Sequence, residues 1–369
     1  MALPVFDGHN DVLLEERSFA DRSDEGHLDL ARARAGGFAG GFFAIFTEHP
    51  DGFPLDAERG PDTPPESSVS HALAVATTDA KIEKLLALEA AGALRVVREP
   101  DDLELTGPVR AVMHIEGAEA IEAGLGNLPE LHARGLRSLG ITWSRPNAFG
   151  HGVPFAAPAS PDLGPGLTDA GRSLVRACNE LGILVDLAHL NARGFWDAAE
   201  VTDRPLVVTH ACAHALVPSA RNLFDAQLDA IGDSGGVVGV CFHHEDVGPH
   251  RSDIARHVDY IAHRIGPAHV ALGSDFDGCE LPEGLAGADG LQDVLGDLAA
   301  LGWSEGDVRL VASGNWLRVL RSTMQASPAR ISTEAARSSS VSPSPITSAP
   351  ETRPNTGTSS ENGATTPGE

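Results

Sequence analysis

The chain has 369 residues, of which 42% are hydrophobic, and its formal net charge is -25 at pH 7. Such acidity excludes a nucleic-acid-binding protein, because the neutralisation of phosphates requires clustered Lys and Arg. The 4 cysteines form no CxxC pair, no apolar run approaches about 18 residues, and no basic segment precedes an apolar one near the N-terminus. We therefore expect a reduced, cytoplasmic protein without a disulfide scaffold, membrane span or signal peptide.

Short apolar, β-prone runs alternate with helix-length stretches along most of the chain. In chain order the runs are "LPVFDG", "GFFAIFT", "VRAVMHIEG", "LRSLGITW", "GILVDLAHL", "PLVVTHA", "GGVVGVCF" and "HVALGSDFDG". Their continuous apolar character predicts strands that are covered on both faces, as in a parallel sheet. Helices are predicted over 70–92, 168–182 and 256–266, the second with Thr168 as its N-cap and a glycine at its end.

This alternation predicts an α/β protein with the fold of a (β/α)8 TIM-like barrel, since it supplies about eight βα units in one domain. An open doubly wound sheet is the competing fold, but it usually carries a glycine-rich phosphate loop after its first strand. The stretch "VFDGHNDVLL" is not such a loop, and the glycine-dense "GGFAGGFF" precedes a strand instead of following one. The barrel is therefore the preferred prediction.

The composition changes at about residue 322. Residues 322–369 are rich in Ser, Thr and Pro and contain almost no large apolar side chains. Such a segment cannot bury enough surface to offset the entropy of ordering it. We predict one catalytic domain over residues 1–321 and a disordered tail over 322–369.

Polar side chains that bind metals stand at the ends of the predicted strands. His9 and Asp11 are two residues apart, so they project from the same face at the end of the first strand. The ends of later strands carry further candidates, namely His114, Glu116, His189, His210, Asp275 and Asp277. In a barrel of this class the C-terminal strand ends meet in the active site. The sequence therefore predicts a divalent metal site there, while position alone leaves the choice between His114 and Glu116 open.

The sequence resembles the membrane dipeptidase (renal dipeptidase) family of dizinc peptidases over residues 5–320. The resemblance rests on "DGHND", "IEGAEAI", "GILVDLAHL", "VVTHACAHAL", "SARNL", "GSDFDG" and "GNWLRVL", in that order. It implies a barrel of the metal-dependent hydrolase type with two Zn²⁺ ions per chain. His9 and Asp11 would bind one ion, His189 and His210 the other, and Glu116 would bridge both. Mn²⁺ or Co²⁺ would suit the same groups.

The resemblance also implies a reaction and two further roles. A hydroxide held between the two metal ions would attack the amide bond of a small dipeptide, L,L or L,D. Asp275 would act as the proton shuttle to the departing amine. Arg221 would bind the terminal carboxylate of the substrate, for which its bidentate guanidinium is suited. Family members are commonly dimers, so a homodimer is a further expectation.

The stretch "GITWSRPNAFGHG" departs from the family pattern. Several family members have a histidine after the fourth strand that polarises the scissile carbonyl, and Trp143 stands at that position here. Trp143 is predicted either to wall the substrate pocket or to have a packing role only. Asn147 or His151 would then supply the missing hydrogen-bond donor.

Three other interpretations compete with a dipeptidase. "GDSGG" around Ser234 matches the nucleophile motif of chymotrypsin-like proteases, but it reads here as a helix end followed by a glycine turn and a strand. A related amidohydrolase acting on N-acyl amino acids or another small carboxylated amide would keep the same site. A metal-free binding protein is disfavoured, because the six catalytic positions are all occupied by suitable residues.

Overall fold

The computed structural model describes residues 2–49, 69–155 and 157–325. In this part of the chain the strands are β1 (Val5–Asn10), β2 (Phe38–Phe46), β3 (Leu94–Val96), β4 (Val109–Glu116), β5 (Leu136–Gly140), β6 (Leu184–Asp186), β7 (Val207–Ala211), β8 (Val237–Val240) and β9 (Val270–Leu272). All eight predicted strands are among them. Strand β3 is not among the predicted runs; it is a three-residue strand that pairs in parallel with the start of β4 outside the main ring.

Helices connect most of the strands. They are α1 (Leu30–Gly36), α2 (His71–Ala90), α3 (Leu128–Arg134), α4 (Asp169–Leu181), α5 (Ala192–Val201), α6 (Asp225–Asp233), α7 (His244–Val247), α8 (Arg251–Ile265), α9 (Leu291–Ala300), α10 (Glu305–Arg309) and α11 (Asn315–Met324). Thr168 caps α4 by accepting a hydrogen bond from the Gly171 amide, and Gly182 ends it in the left-handed conformation, as predicted. Helix α8 begins five residues before the predicted start, where Asp253 accepts from the His250 amide.

The fold is a nearly closed barrel of parallel strands with helices between them. Within the described residues the strand order is β1-β2-β4-β5-β6-β7-β8-β9, and every neighbouring pair is parallel. The ring closes beyond β9, where the Asp275 amide donates to the His9 carbonyl at 2.9 Å and the Asp11 amide donates to the Phe276 carbonyl at 2.8 Å. The predicted (β/α)8 TIM-like barrel is confirmed.

Helix α11 packs against the N-terminal end of the barrel. Its buried Trp316 donates a hydrogen bond from Nε1 to the Leu272 carbonyl at 2.9 Å. A Cβ atom at Gly8 would come within 2.6 Å of the indole, and one at Gly239 within 2.9 Å, so these glycines make room for the ring. The apolar cluster at this end includes Phe6, Phe42, Val112, Leu184, Val207, Val237, Val319 and Leu320. The opposite end is thereby left to the polar residues.

The boundary of the predicted tail differs slightly from the structure. Helix α11 continues to Met324, so residues 322–324 belong to the last helix and not to a tail. The remainder of the predicted disordered segment, from residue 326, lies outside the described residues. No helix in the described part of the chain is long and apolar enough to cross a membrane.

Candidate metal centre and active site

Six side chains predicted from the sequence meet at the C-terminal mouth of the barrel. They are His9, Asp11, Glu116, His189, His210 and Asp275, and in the described residues they form three overlapping groups whose potential ligand atoms lie within 4.8 Å of one another. Each stands on a strand or in the first residues that follow one. The parallel ladder brings these strand ends together, which is why residues far apart in sequence share one site.

Glu116 lies at the centre of this cluster, at the end of β4. Its Oε2 is 3.7 Å from Nε2 of His9, while its Oε1 is 3.1 Å from Nε2 of His189 and 3.6 Å from Nε2 of His210. Each carboxylate oxygen therefore faces a different donor set. A carboxylate placed in this way can bridge two cations.

The residues fit metal ions because several of their buried polar atoms lack protein partners. Neither ring nitrogen of His9 has a hydrogen-bond partner among the described residues, and Oδ1 of Asp11 also has none. His9 Nε2 lies 3.3 Å from the other Asp11 oxygen. Buried polar atoms normally have a hydrogen-bond partner, so nitrogen and oxygen atoms that lack one and converge on one point indicate the binding site of an ion. Imidazole and carboxylate together suit Zn²⁺ or a similar divalent ion.

The electrostatics of the cluster also favour cations. Burial disfavours a charge on His9, but the carboxylates of Glu116 and Asp11 outweigh burial and raise the pKa of its imidazole to about 10. Burial raises the pKa of Glu116 to about 8, with repulsion from Asp11 and Asp275 adding to the effect and His9 opposing it. The metal-free cluster thus holds protons tightly, and metal ions would compete for the same positions.

His189 and His210 are held as neutral imidazoles. Burial lowers the pKa of each well below its ordinary value, and the positive charges of Arg221 and His9 act in the same direction. Ser144 Oγ lies 2.8 Å from Nδ1 of His189, so Nε2 is directed to the centre. The two Nε2 atoms lie 3.0 Å apart. Two neutral imidazoles whose lone pairs point to one place are suited to bind one metal ion.

His114 and Glu116 lie on the same face of β4 but at different depths. His114 is fully buried below the mouth, where Nδ1 lies 2.9 Å from Ser138 Oγ and Nε2 lies 3.6 Å from Asp186. Burial lowers its pKa well below the ordinary value. Among the described residues it belongs to none of the ligand groups, whereas Glu116 belongs to two of them.

The two aspartates of "GSDFDG" have different surroundings. Both have a positive φ, 60° at Asp275 and 68° at Asp277, a conformation that costs energy for a non-glycine residue and often marks functional sites. Asp275 faces the cluster, with Oδ1 3.9 Å from Nε2 of His9, and burial raises its pKa to about 6. Asp277 turns away and pairs with Arg17 at 2.6 Å. Of the two, Asp275 is the one placed for chemistry.

Arg221 lies beside the cluster in the loop after β7. It is only 5% exposed, and its Nη2 donates to the His210 carbonyl at 3.3 Å. Asp246 is bonded to the neighbouring Ser219 and lies 3.0 Å from Nδ1 of His243. The guanidinium thus stays close to the candidate metal ligands, and the Asp246 carboxylate is bonded to Ser219 and His243.

Trp143 and Asn147 have different environments in the loop after β5. The Trp143 indole stacks on His189, with ring centres 5.6 Å apart and an angle of 29° between the planes. The Asn147 amide donates to the Ile141 carbonyl at 2.8 Å, and its oxygen accepts from the amides of Phe149 and Gly150. Trp143 is therefore part of the site wall, whereas the Asn147 side chain mainly holds its own loop together.

The remaining sequence candidates also have clear positions. Ser234 ends α6, accepts from the Leu206 amide and donates to the Ile231 carbonyl. It precedes β8, so it lies at the strand ends opposite the candidate metal ligands, and the predicted helix end, turn and strand are confirmed. His151 is half-buried, and its Nδ1 has no hydrogen-bond partner among the described residues.

Comparison with known proteins decides the family. Residues 1–333 match the membrane dipeptidase family, Peptidase family M19. The chain belongs to the membrane dipeptidase family. It is a metal-dependent dipeptidase, and the resemblance inferred from its motifs is confirmed.

Two solved peptidase structures and one dipeptidase sequence are similar to this chain. A metallopeptidase from Rhodobacter sphaeroides, liganded with a phosphinate mimic of the dipeptide L-Ala-D-Ala, is 41% identical, with a TM-score of 0.83 over 88% of this chain and 100% of that one. The dipeptidase AC is 42% identical, with a TM-score of 0.80 and the same coverage. Dipeptidase aclJ of Aspergillus oryzae is 29% identical over 86% of this chain and 78% of its own length.

Two hydroxyl groups that orient His189 and His210 are not among the residues predicted from the sequence. Thr209 Oγ1 lies 2.9 Å from Nδ1 of His210 and donates to Asp186 at 2.6 Å. Ser144 has the corresponding place beside His189. Thr209 directly precedes a predicted ligand on a strand, but Ser144 lies 45 residues from its histidine, so the sequence carried no signal for it.

Proposed function

We propose that this protein hydrolyses dipeptides with two Zn²⁺ ions at the mouth of the barrel. The observation that carries the proposal is the position of Glu116 between His9 and Asp11 on one side and His189 and His210 on the other. One donor set and one Glu116 oxygen would hold each ion. Zinc is favoured because neutral imidazoles and carboxylates are its usual oxygen and nitrogen ligands.

Bound ions would polarise the scissile carbonyl and lower the pKa of a coordinated water. The protein supplies the proton transfer through Asp275. Its side chain is 16% exposed, more than those of His9 and Glu116, so it borders the space that a substrate would enter. Burial raises the pKa of this carboxyl group, which favours the uptake of a proton, and a carboxyl at the rim can then return it, as a shuttle to the departing amine requires.

Arg221 gives the site a preference for substrates with a free carboxylate. The guanidinium presents a planar fork that matches a carboxylate. Its hydrogen bond to the His210 carbonyl keeps the guanidinium next to one of the proposed metal ligands. A dipeptide has an amide and a carboxylate separated by one residue, which suits a site where metals and arginine are this close.

A relative supports a proposal for the stereochemistry of the substrate. The Rhodobacter sphaeroides enzyme binds a mimic of L-Ala-D-Ala and is 41% identical to this chain. We extend this to the present protein and propose that it hydrolyses L,D- as well as L,L-dipeptides. The location in the cytoplasm and the homodimer stay predictions.

The first experiment is a hydrolysis assay with L,L- and L,D-dipeptides. N-acetylated amino acids that match the C-terminal residue of each dipeptide are assayed in parallel. We expect amino acid release that stops with chelator and returns with Zn²⁺, at about 2 ions per chain by elemental analysis. Arg221→Lys keeps the charge but loses the fork, so it should raise KM more than it lowers kcat. Hydrolysis of N-acyl amino acids and of no dipeptide would contradict the dipeptidase assignment. Full activity in protein that contains one metal ion per chain would contradict the dizinc centre.

A further inference from the structure

Phe155 is an exposed aromatic residue at the mouth of the site. Its side chain is among the few large hydrophobic ones left exposed in the described residues, and 41% of the residue is accessible. Its ring centre lies 5.2 Å from that of Trp143, 6.0 Å from that of His189 and 6.4 Å from that of His243. The ring thus spans the distance between residues that follow β5, β6 and β8.

Backbone hydrogen bonds hold the chain on the N-terminal side of Phe155. The Val153 amide donates to the carbonyl of His189 at 2.8 Å, and the Asn191 amide donates to the His151 carbonyl at 3.1 Å. Gly152 lies so close to Trp143 that an added Cβ would be 1.8 Å from its carbonyl oxygen. Val153, two residues before Phe155, is therefore hydrogen-bonded to the backbone of His189, a proposed metal ligand.

On its C-terminal side the chain is anchored to the loop that carries Arg221. The Ala159 amide donates to the Pro218 carbonyl at 2.8 Å, and the Ala159 carbonyl lies 3.0 Å from Nε2 of His214. Hydrogen bonds thus hold the chain at Val153 and at Ala159, on the two sides of Phe155. The ring packs on Trp143 and His189 and is still 41% exposed, so part of it can contact a bound substrate.

We infer that Phe155 recognises the side chain of the C-terminal residue of the substrate, so that the enzyme prefers dipeptides with an apolar C-terminal residue. This inference rests on the proposed function. With the scissile carbonyl at the metals and the carboxylate at Arg221, the side chain of the C-terminal residue would project beside the candidate ligands, and Phe155 is the exposed aromatic ring that contacts His189 and His243 there. Aromatic rings contribute a large apolar contact at little entropic cost.

The test compares two series of dipeptides with zinc-loaded wild type, Phe155→Ala and Phe155→Leu. One series is Ala-Gly, Ala-Ala, Ala-Leu and Ala-Phe, and the other is Gly-Ala, Ala-Ala, Leu-Ala and Phe-Ala. Wild type should prefer Ala-Leu and Ala-Phe to Ala-Gly in kcat/KM. Phe155→Ala should reduce that preference by about 10-fold, as expected for the loss of an apolar contact in a specificity pocket, and Phe155→Leu should keep most of it.

Trp196→Ala is the matched control, because Trp196 is an aromatic residue of similar exposure, 39%, that packs on Phe195 in α5. It should leave both series unchanged. An equal loss over all dipeptides in Phe155→Ala, or a loss that follows the N-terminal residue instead, overturns the inference. If zinc-loaded wild type releases amino acids from none of the dipeptides, the proposed function itself has failed, which is a separate outcome.

Discussion

The hydroxyl of Thr209 lies 2.9 Å from Nδ1 of His210, its neighbour in the chain. The same hydroxyl donates its proton to Asp186 at 2.6 Å, so its oxygen must accept the Nδ1 proton of His210. This fixes the neutral tautomer whose Nε2 lone pair faces Glu116 and the centre of the site. Partners of this kind raise ligand basicity and restrict ring rotation.

Thr209→Val should therefore lower the affinity for a metal ion by about 10- to 100-fold, because it removes the hydroxyl while keeping the side-chain volume. The measurement is a zinc titration against a competing chelator, with circular dichroism to show that the variant is folded. Thr209→Ser restores the hydroxyl and should bind nearly as wild type does. Equal zinc affinity in the valine variant would show that the hydrogen bond has no role in metal binding.

Zinc affinity should rise with pH between about pH 6 and 8. Without a metal ion His9 and Glu116 titrate as one pair, in which the carboxylates of Glu116 and Asp11 raise the pKa of His9 to about 10 and burial raises that of Glu116 to about 8. The pair therefore holds a proton in this range that an ion has to displace. Raising the pH toward these values weakens that competition, and each displaced proton adds up to about tenfold in affinity per pH unit. Isothermal titration in buffers of different ionisation enthalpy measures the released protons. No proton release at pH 7 would refute this reasoning.

Asp275→Asn should retain both metal ions yet lose activity by about 10²- to 10⁴-fold, since the amide cannot carry a proton at neutral pH. Elemental analysis and kcat measured on the same preparation test the two parts separately. Asp277→Asn is the control from the same motif. Its loss of the Arg17 ion pair should lower the stability and leave the metal content intact. Full turnover in Asp275→Asn would remove this residue from the mechanism.

Trp316→Ala should lower the free energy of unfolding by about 3–5 kcal/mol, because it opens a cavity beside Gly8 and Gly239 and loses the hydrogen bond to the Leu272 carbonyl. Urea unfolding at a fixed zinc concentration measures the change. Trp196→Ala, at an exposed position, should change stability by less than about 1 kcal/mol. A similar loss of stability in both variants would mean that the packing of Trp316 does not stabilise the N-terminal end of the barrel.

The sequence alone determined the barrel and most of the side chains that meet at its mouth as candidate metal ligands. Continuous apolar runs mark strands that are buried on both faces, and all eight runs are strands in the structure. The i and i+2 spacing of His9 and Asp11 places both side chains on one face because a strand repeats every two residues. These are local properties of the chain, so they can be read from neighbouring residues.

The tertiary structure decided what depends on depth and on distant partners. His114 and Glu116 have the same strand periodicity, and only their heights in the barrel separate a buried residue beside Ser138 from a residue at the mouth. Asn147 was a predicted substrate donor, but its amide is occupied by its own loop. Ser144 and Phe155 acquire their places beside His189 from packing between separate loops. Contacts between residues far apart in sequence are set by the folded chain, and no local pattern encodes them.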